Sequence, residues 1–289
     1  MTSPALPVTV VVATRDRAED LRRSLPRHEA PVVLVDNGSR DGTVEVARAE
    51  GRRRREEGLP PLVVLEAGEN LGAVGRNLGV GAAETPLVAF ADDDSWWAPG
   101  ALVRAGELFA AHPRMAVLAA RLLVGPAEEL DGVCDDMAAA PWGRSDDLPG
   151  PDVLGFLACG AVVRREPYLA VGGFDPVVHF AGEEERFTYD LVAAGWGLAY
   201  VDEVVAHHHP SPTRSTPEQR LRLLQRNRLL TAWMRRPVRV AARDTLRALR
   251  GPAHERGGVL DAARRMPGAL RRRHLAGPEV ERRLAVIGR

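Results

Sequence analysis

The chain has 289 residues, 45% of them hydrophobic and 27% charged, which suits one large α/β domain with a helical appendage. Its formal net charge of zero hides an asymmetry: residues 211–289 hold 20 arginines against 6 acids, roughly +14, and the rest of the chain is about as negative. Two cysteines exclude a disulfide framework, no apolar run nears the ~20 residues of a membrane span, and the opening MTSPALP lacks a basic segment followed by a long apolar one, so a cytoplasmic protein is expected.

In chain order, short β-branched runs alternate with segments of helical spacing. Pro7–Thr14 predicts a buried strand, and Asp16–Arg27 a helix with Leu21 and Leu25 four apart. Pro31–Asp36 is a second strand, ended by the turn formers Asn37, Gly38 and Ser39. A helix over Thr43–Arg55, a strand at Leu62–Leu65 and a glycine-weakened helix over Ala73–Ala83 follow. The strand Leu87–Ala91 runs straight into Asp92, Asp93 and Asp94. Ala101–Ala111 is helical and Met115–Val124 a strand; residues 125–150, rich in Pro, Gly, Asp and Ala, read as an irregular insertion or lid. The pattern resumes with a strand at Gly160–Arg164, a helix, a Gly-Gly turn, an acidic helix over Glu183–Ala194 and a strand near Leu198–Val201. From Thr216 the chain is helical and arginine-rich, broken at Pro237, Pro252, Pro267 and Pro278. This alternation predicts a mostly parallel sheet wrapped by helices, with a catalytic domain over 1–210 and a helical extension over 211–289.

Ligands of open α/β sheets bind at the carboxyl ends of the strands. Three polar clusters fall there: Thr14 to Arg17, Asp36 to Ser39, and the aspartate triplet. Adjacent carboxylates at a strand end repel unless a cation neutralises them, and a hard divalent ion takes one or two carboxylates plus phosphate oxygens. The plainer reading of the same acids is a helix cap. Arg76 precedes the aspartate strand and has the fork that suits a diphosphate. Because the chain has no lysine, any phosphate contact from a fixed cation falls to arginine. Downstream, Glu183–Glu185 opens a helix, where acids suit the dipole or supply a general base. His207–His209 offers an imidazole to the aspartates, or only surface polarity. Trp96, Trp97 and Trp142 suit sugar stacking, although large aromatics more often pack.

In this order the segments VTVVVATRDRAEDLRRSL, VVLVDNGSRDGT, NLGAVGRNLGVGAAETPLVAFADDDSWWAPGAL, CGAVVRREPYLAVGGFD and GEEERFTYDLVAAGWGLAYVDEVVAHHHP resemble family 2 glycosyltransferases of the GT-A fold, over about residues 7–235. The resemblance implies a nucleotide diphosphate sugar donor, a divalent Mg²⁺ or Mn²⁺, and transfer to an acceptor hydroxyl with inversion. Asp36 matches the acid at the nucleotide base, with Thr14 and Arg15 in the loop beside it. Asp92 and Asp94 match the ends of the family's Asp-x-Asp motif: Asp94 holds the metal, and Asp92 or Asp93 faces the ribose, with Asp92 a further candidate metal ligand. Arg76 and Gly160 join the donor side. Glu183-Glu184 stands where the family has Glu-Asp, so Glu184 is the first choice of base and Glu183 the second. His207 matches a late histidine that joins the metal. Gly173, Phe174 and Asp175 match a loop near sugar and acceptor.

Other readings meet specific obstacles. A sugar-nucleotide nucleotidyltransferase needs a glycine-rich loop after the first strand and catalytic lysines, whereas Ala13-Thr14-Arg15-Asp16 stands there. A dinucleotide oxidoreductase needs Gly-x-Gly-x-x-Gly at that turn. A non-catalytic sugar-nucleotide binder requires vestigial acids. The tail's arginines, with Leu221, Leu224, Leu229 and Leu230, suit either packing on the catalytic domain or peripheral contact with the inner face of an anionic membrane, beside a lipid-linked glycan. No nucleic-acid motif accompanies the charge, so no nucleic acid is expected; a free glycan or a small molecule remains open as acceptor.

Overall fold

The computed structural model describes residues 7–211 and 216–289. Its centre is a nine-stranded sheet. Strands β1 (Val8–Thr14), β2 (Val32–Asp36), β3 (Leu62–Glu66) and β4 (Leu87–Ala91) form a parallel half in the order β3-β2-β1-β4. β1, β2 and β4 are buried along nearly their whole length, as continuous Val, Leu and Ala runs require when both faces of a sheet are covered. The register pairs Thr14 with Asp36 and Val12 with Ala91, so the polar residues that follow these strands emerge side by side.

The second half is mixed rather than parallel. β8 (Ala161–Arg164) runs antiparallel to both β4 and β6 (Met115–Val124). β9 (Gly197–His208) is parallel to β6, and the short β5 (Ser95–Trp97) pairs antiparallel with β9 at the edge. β9 extends seven residues past the predicted Val201, through Val204, Val205 and Ala206, whose spacing suits a strand. The insertion at 125–150 contains β7 (Glu129–Leu130) and helix α5 (Gly132–Ala138), capped by the Asp131 carboxylate accepting from Val133 N at 3.0 Å.

Helices α1 (Ala18–Ser24), α2 (Thr43–Glu56), α3 (Gly75–Ala82), α4 (Ala101–Ala111), α6 (Arg165–Ala170) and α7 (Glu183–Ala193) complete this part. α3 lies unusually close to the sheet: a Cβ on Gly79 would meet Val11 Cγ1 at 2.4 Å, so the glycines that weaken its helix propensity allow its approach. The tail forms α8 (Pro217–Arg235), α9 (Val238–Leu249), α10 (Ala253–Arg271) and α11 (Pro278–Val286). Pro237 and Pro252 cap helices and Pro278 begins one, but Pro267 lies inside α10 without breaking it. A small apolar cluster around Leu229, Leu230, Met234 and Ala262 joins α8 to α10, whereas Val280 and Leu284 of α11 enter the main core. No helix among the described residues is long and apolar enough to cross a membrane.

Candidate active site

The loops after β1, β2 and β4 and the start of α7 meet at one rim. The Thr14 hydroxyl donates to Asp93 Oδ2 at 3.0 Å, and Ser24 of α1 donates to the Asp93 carbonyl at 2.7 Å. Arg17 adds a guanidinium 3.7 Å from Asp93. Burial first, then the charges of Asp92 and Asp94, push the Asp93 carboxyl up to about 8. The triplet is thus a site of concentrated negative potential.

Arg76 links the two halves of the rim. α3 carries it over the sheet edge, where it is buried, and its Nη2 reaches Asp92 Oδ1 at 2.5 Å while Nη1 reaches Glu183 Oε1 at 3.2 Å. Burial opposes its charge, but Asp92, then Glu183 and Glu184, outweigh that and hold the guanidinium above its usual range. Glu183 is 3% exposed, and its Oε2 has no hydrogen-bond partner. Burial and the neighbouring Glu184 push its carboxyl up to about 8. Glu184 is half-buried and accepts from Ala158 N at 3.3 Å; burial raises its pKa above the carboxylate norm. Glu185 points elsewhere, bound by Tyr189 and Arg289. Of the three, Glu184 combines access with elevated basicity.

The histidines divide by strand alternation. His207 turns away from the aspartates: it lies 2.9 Å from Glu128 and stacks on Trp96 at 5.5 Å. His208 turns towards them, its Nε2 3.3 Å from Asp94 Oδ1. Of the two, the imidazole beside the aspartates is that of His208, one residue on from the expected His207. Possible ligand atoms of Asp92, Cys159 and His208 lie within 4.8 Å of one another. Cys159 is buried, which with Asp92 raises its thiol well above the usual range. Asp92 and His208 offer oxygen and nitrogen donors of the kind Mn²⁺ or Mg²⁺ accepts, and Asp94 stands against His208 rather than within that group.

The other expected residues vary in placement. Asp36 is 3% exposed, and its carboxylate accepts from Gly38 N and Ser39 N, both at 3.1 Å, so it shapes its own turn. Arg15 lies at the mouth of that turn, half-exposed beside Asp16. Gly160 is buried at the end of a 3₁₀ turn, Ala158–Gly160, whose first amide meets Glu184. Gly173 has φ +57°, and a Cβ there would meet Asn77 Oδ1 at 2.5 Å. Phe174 is fully buried among Phe90, Tyr168 and Phe187, with the Arg76 guanidinium 6.0 Å from its ring. It is a floor beneath Arg76 rather than an acceptor contact. Asp175 is buried too and accepts from Val177 N at 2.8 Å. Sequence reasoning did not single out Ser24 or Cys159, and it held Arg17 and His208 only as members of the Thr14–Arg17 cluster and the histidine triplet.

An α/β sheet with this acidic rim and this flanking arginine defines a GT-A type glycosyltransferase. Residues 9–172, more than half of the chain, match the family model described as Glycosyl transferase family 2. The chain belongs to that family and is a glycosyltransferase. It is 27% identical over 282 residues to an N-acetylglucosaminyl-diphospho-decaprenol L-rhamnosyltransferase of Mycobacterium tuberculosis, covering 84% of this chain and 89% of the relative. A shorter match, 30% over 101 residues, joins it to the succinoglycan biosynthesis protein ExoU of Rhizobium meliloti, covering 33% of this chain and 28% of that protein. Among solved structures it resembles the mannosyltransferase PcManGT from Pyrobaculum calidifontis, bound to GDP-Man and Mn²⁺, with TM-score 0.62 at 19% identity over 99% of this chain and 80% of that one. It also resembles S. aureus TarS in complex with UDP, with TM-score 0.54 at 16% identity over 90% of this chain and 70% of that one.

Proposed function

We propose that this glycosyltransferase moves a sugar from a nucleoside diphosphate donor to a hydroxyl of a lipid-linked glycan, with inversion, and that Glu184 is the base. Residues 1–210 are read as the catalytic unit and 211–289 as its extension. The observation that carries the reading is Arg76, which ties Asp92 on the donor side to Glu183 on the base helix. That link sets the two sides of a displacement in one rigid frame. Asp92 and His208, with Asp94 against His208, would hold a divalent cation, which when bound offsets the charge of the departing diphosphate. Arg76 and Arg17 add fixed positive charge beside it, and Thr14 orients Asp93. Glu184 takes the proton from the acceptor oxygen as that oxygen attacks the anomeric carbon, and the glycosidic bond to the diphosphate breaks. The mycobacterial relative's name supports a diphospho-lipid acceptor.

Glu184→Gln tests the assignment. Turnover falls on the order of a thousand-fold while donor binding, read as a thermal shift, stays the same. The acid limb of the wild-type pH–rate profile lies above 4.5, because the base must be deprotonated and its pKa is raised. Full turnover in the variant, or an acid limb at the ordinary carboxylate value, places the base elsewhere.

A further inference from the structure

Helix α9 has a divided outer face. Its inner side rests on α8 through the buried Ala241 and Ala248, and Trp233 Nε1 donates to Thr245 Oγ1 at 3.1 Å. At ~100° per residue, Val238, Leu246 and Leu249 fall within an arc of ~80° on the outer side. They are 55%, 51% and 46% exposed. Arg239, Arg243, Arg247 and Arg250 occupy the adjoining arc of ~80°, and all four are exposed. The helix's one acid, Asp244, is turned inward to Arg236 at 3.7 Å, with Arg243 beside it at 3.1 Å.

Two kinds of exposure coincide here. Nine of the sixteen large hydrophobic residues exposed among the described residues lie in 216–289, the segment where arginines outnumber acids most. A nucleic acid accounts for the arginines but gains nothing from bare leucines, and a second copy of this tail is repelled by like charge. An anionic lipid surface takes both, with guanidinium groups at the phosphates and aliphatic side chains at the acyl boundary. We propose that the outer face of α9 docks on an anionic membrane. The inference deepens the lipid-linked acceptor reading and rests on it for its purpose, but its evidence lies in the tail and not at the rim. Docking there brings a chain with no spanning helix among its described residues to a substrate confined to the bilayer.

Flotation of the full chain with vesicles tests it. Binding is expected on phosphatidylcholine vesicles containing phosphatidylglycerol, weak on phosphatidylcholine alone, and lost at roughly 1 M salt. Arg243→Gln/Arg247→Gln weakens it roughly thirty-fold. Leu246→Asn/Leu249→Asn weakens it about ten-fold while the salt dependence persists. Both variants keep the wild-type melting temperature and donor-induced shift. Equal binding by all variants, no preference for anionic lipid, tighter partition onto a single-stranded DNA oligomer, or self-association relieved by the leucine changes each overturns the proposal. Loss of vesicle binding with nucleoside diphosphate release intact removes the membrane face alone; vesicle binding without any transfer removes the catalytic reading alone.

Discussion

The rim and the tail use arginine in opposite ways. At the rim a single buried arginine, Arg76, serves an excess of carboxylates: Asp92, Glu183 and Glu184 act on it, and a carboxylate oxygen of Glu183 remains without a hydrogen-bond partner. In the tail the excess is arginine, and its forks close on carbonyls. Arg226 donates to Val178 O at 2.9 Å, Arg265 to Val177 O at 3.0 Å and Arg235 to Arg272 O at 3.0 Å. Arg235 also bridges the tail to Asp190 of α7 at 2.9 Å. The difference teaches that the neutral whole is divided into an acidic rim and a basic extension whose inner arginines close on the protein's own carbonyls and on Asp190.

The sharpest way to break this comparison is to remove an arginine from each region. Arg76→Met is expected to destabilise by about 3 kcal/mol, the lower end of the range for a broken buried pair, because Glu183 escapes part of the cost by taking up a proton. Arg235→Met costs less, since Asp190 keeps Arg186 at 2.6 Å. Urea unfolding of both variants measures the pair, and equal losses would erase the distinction.

A second comparison tests how the tail is anchored. Leu284 is fully buried in the main core, so Leu284→Ala should cost roughly 2–4 kcal/mol. Leu246, exposed on α9, should tolerate alanine within about 0.5 kcal/mol. A melting-temperature difference between the two variants reads this directly.

The smallest effect concerns acid. His28, buried beside Arg54 with neither ring nitrogen partnered, has its pKa lowered to about 3 by burial and then by Arg54. The unfolded chain binds a proton below 6.5 that the folded chain refuses until about 3, so stability falls as pH falls through that window and is unaffected above it. Between pH 6.5 and 5.5 the loss is about 1 kcal/mol. His28→Leu should flatten the slope, and unfolding at the two pH values checks it.

Much of the rim was legible because strand ends announce themselves. Asp92–Asp94 follow a short apolar run, and the order of segments points to Arg76 and Glu183-Glu184 as their neighbours. His208 was not legible in place of His207, because that choice depends on where β9 stops and on its register against β5, which pairs Ser95 with His208 and Trp96 with His207. A one-residue difference in a strand reverses the face. Phe174 looked like a loop residue, and only the closing of three aromatic rings around it turned it into core.

By itself the sequence determined the alternation of strands and helices, the acids at the strand ends, and the separation of negative front from positive tail. Those are local properties: side-chain period, turn chemistry and charge. Only the tertiary structure decided that β8, β6, β9 and β5 form a mixed half-sheet, that Arg76 spans 107 residues to reach Glu183, and that α11 enters the core while α9 stays bare. Those depend on contacts between distant segments, whose geometry no local pattern encodes.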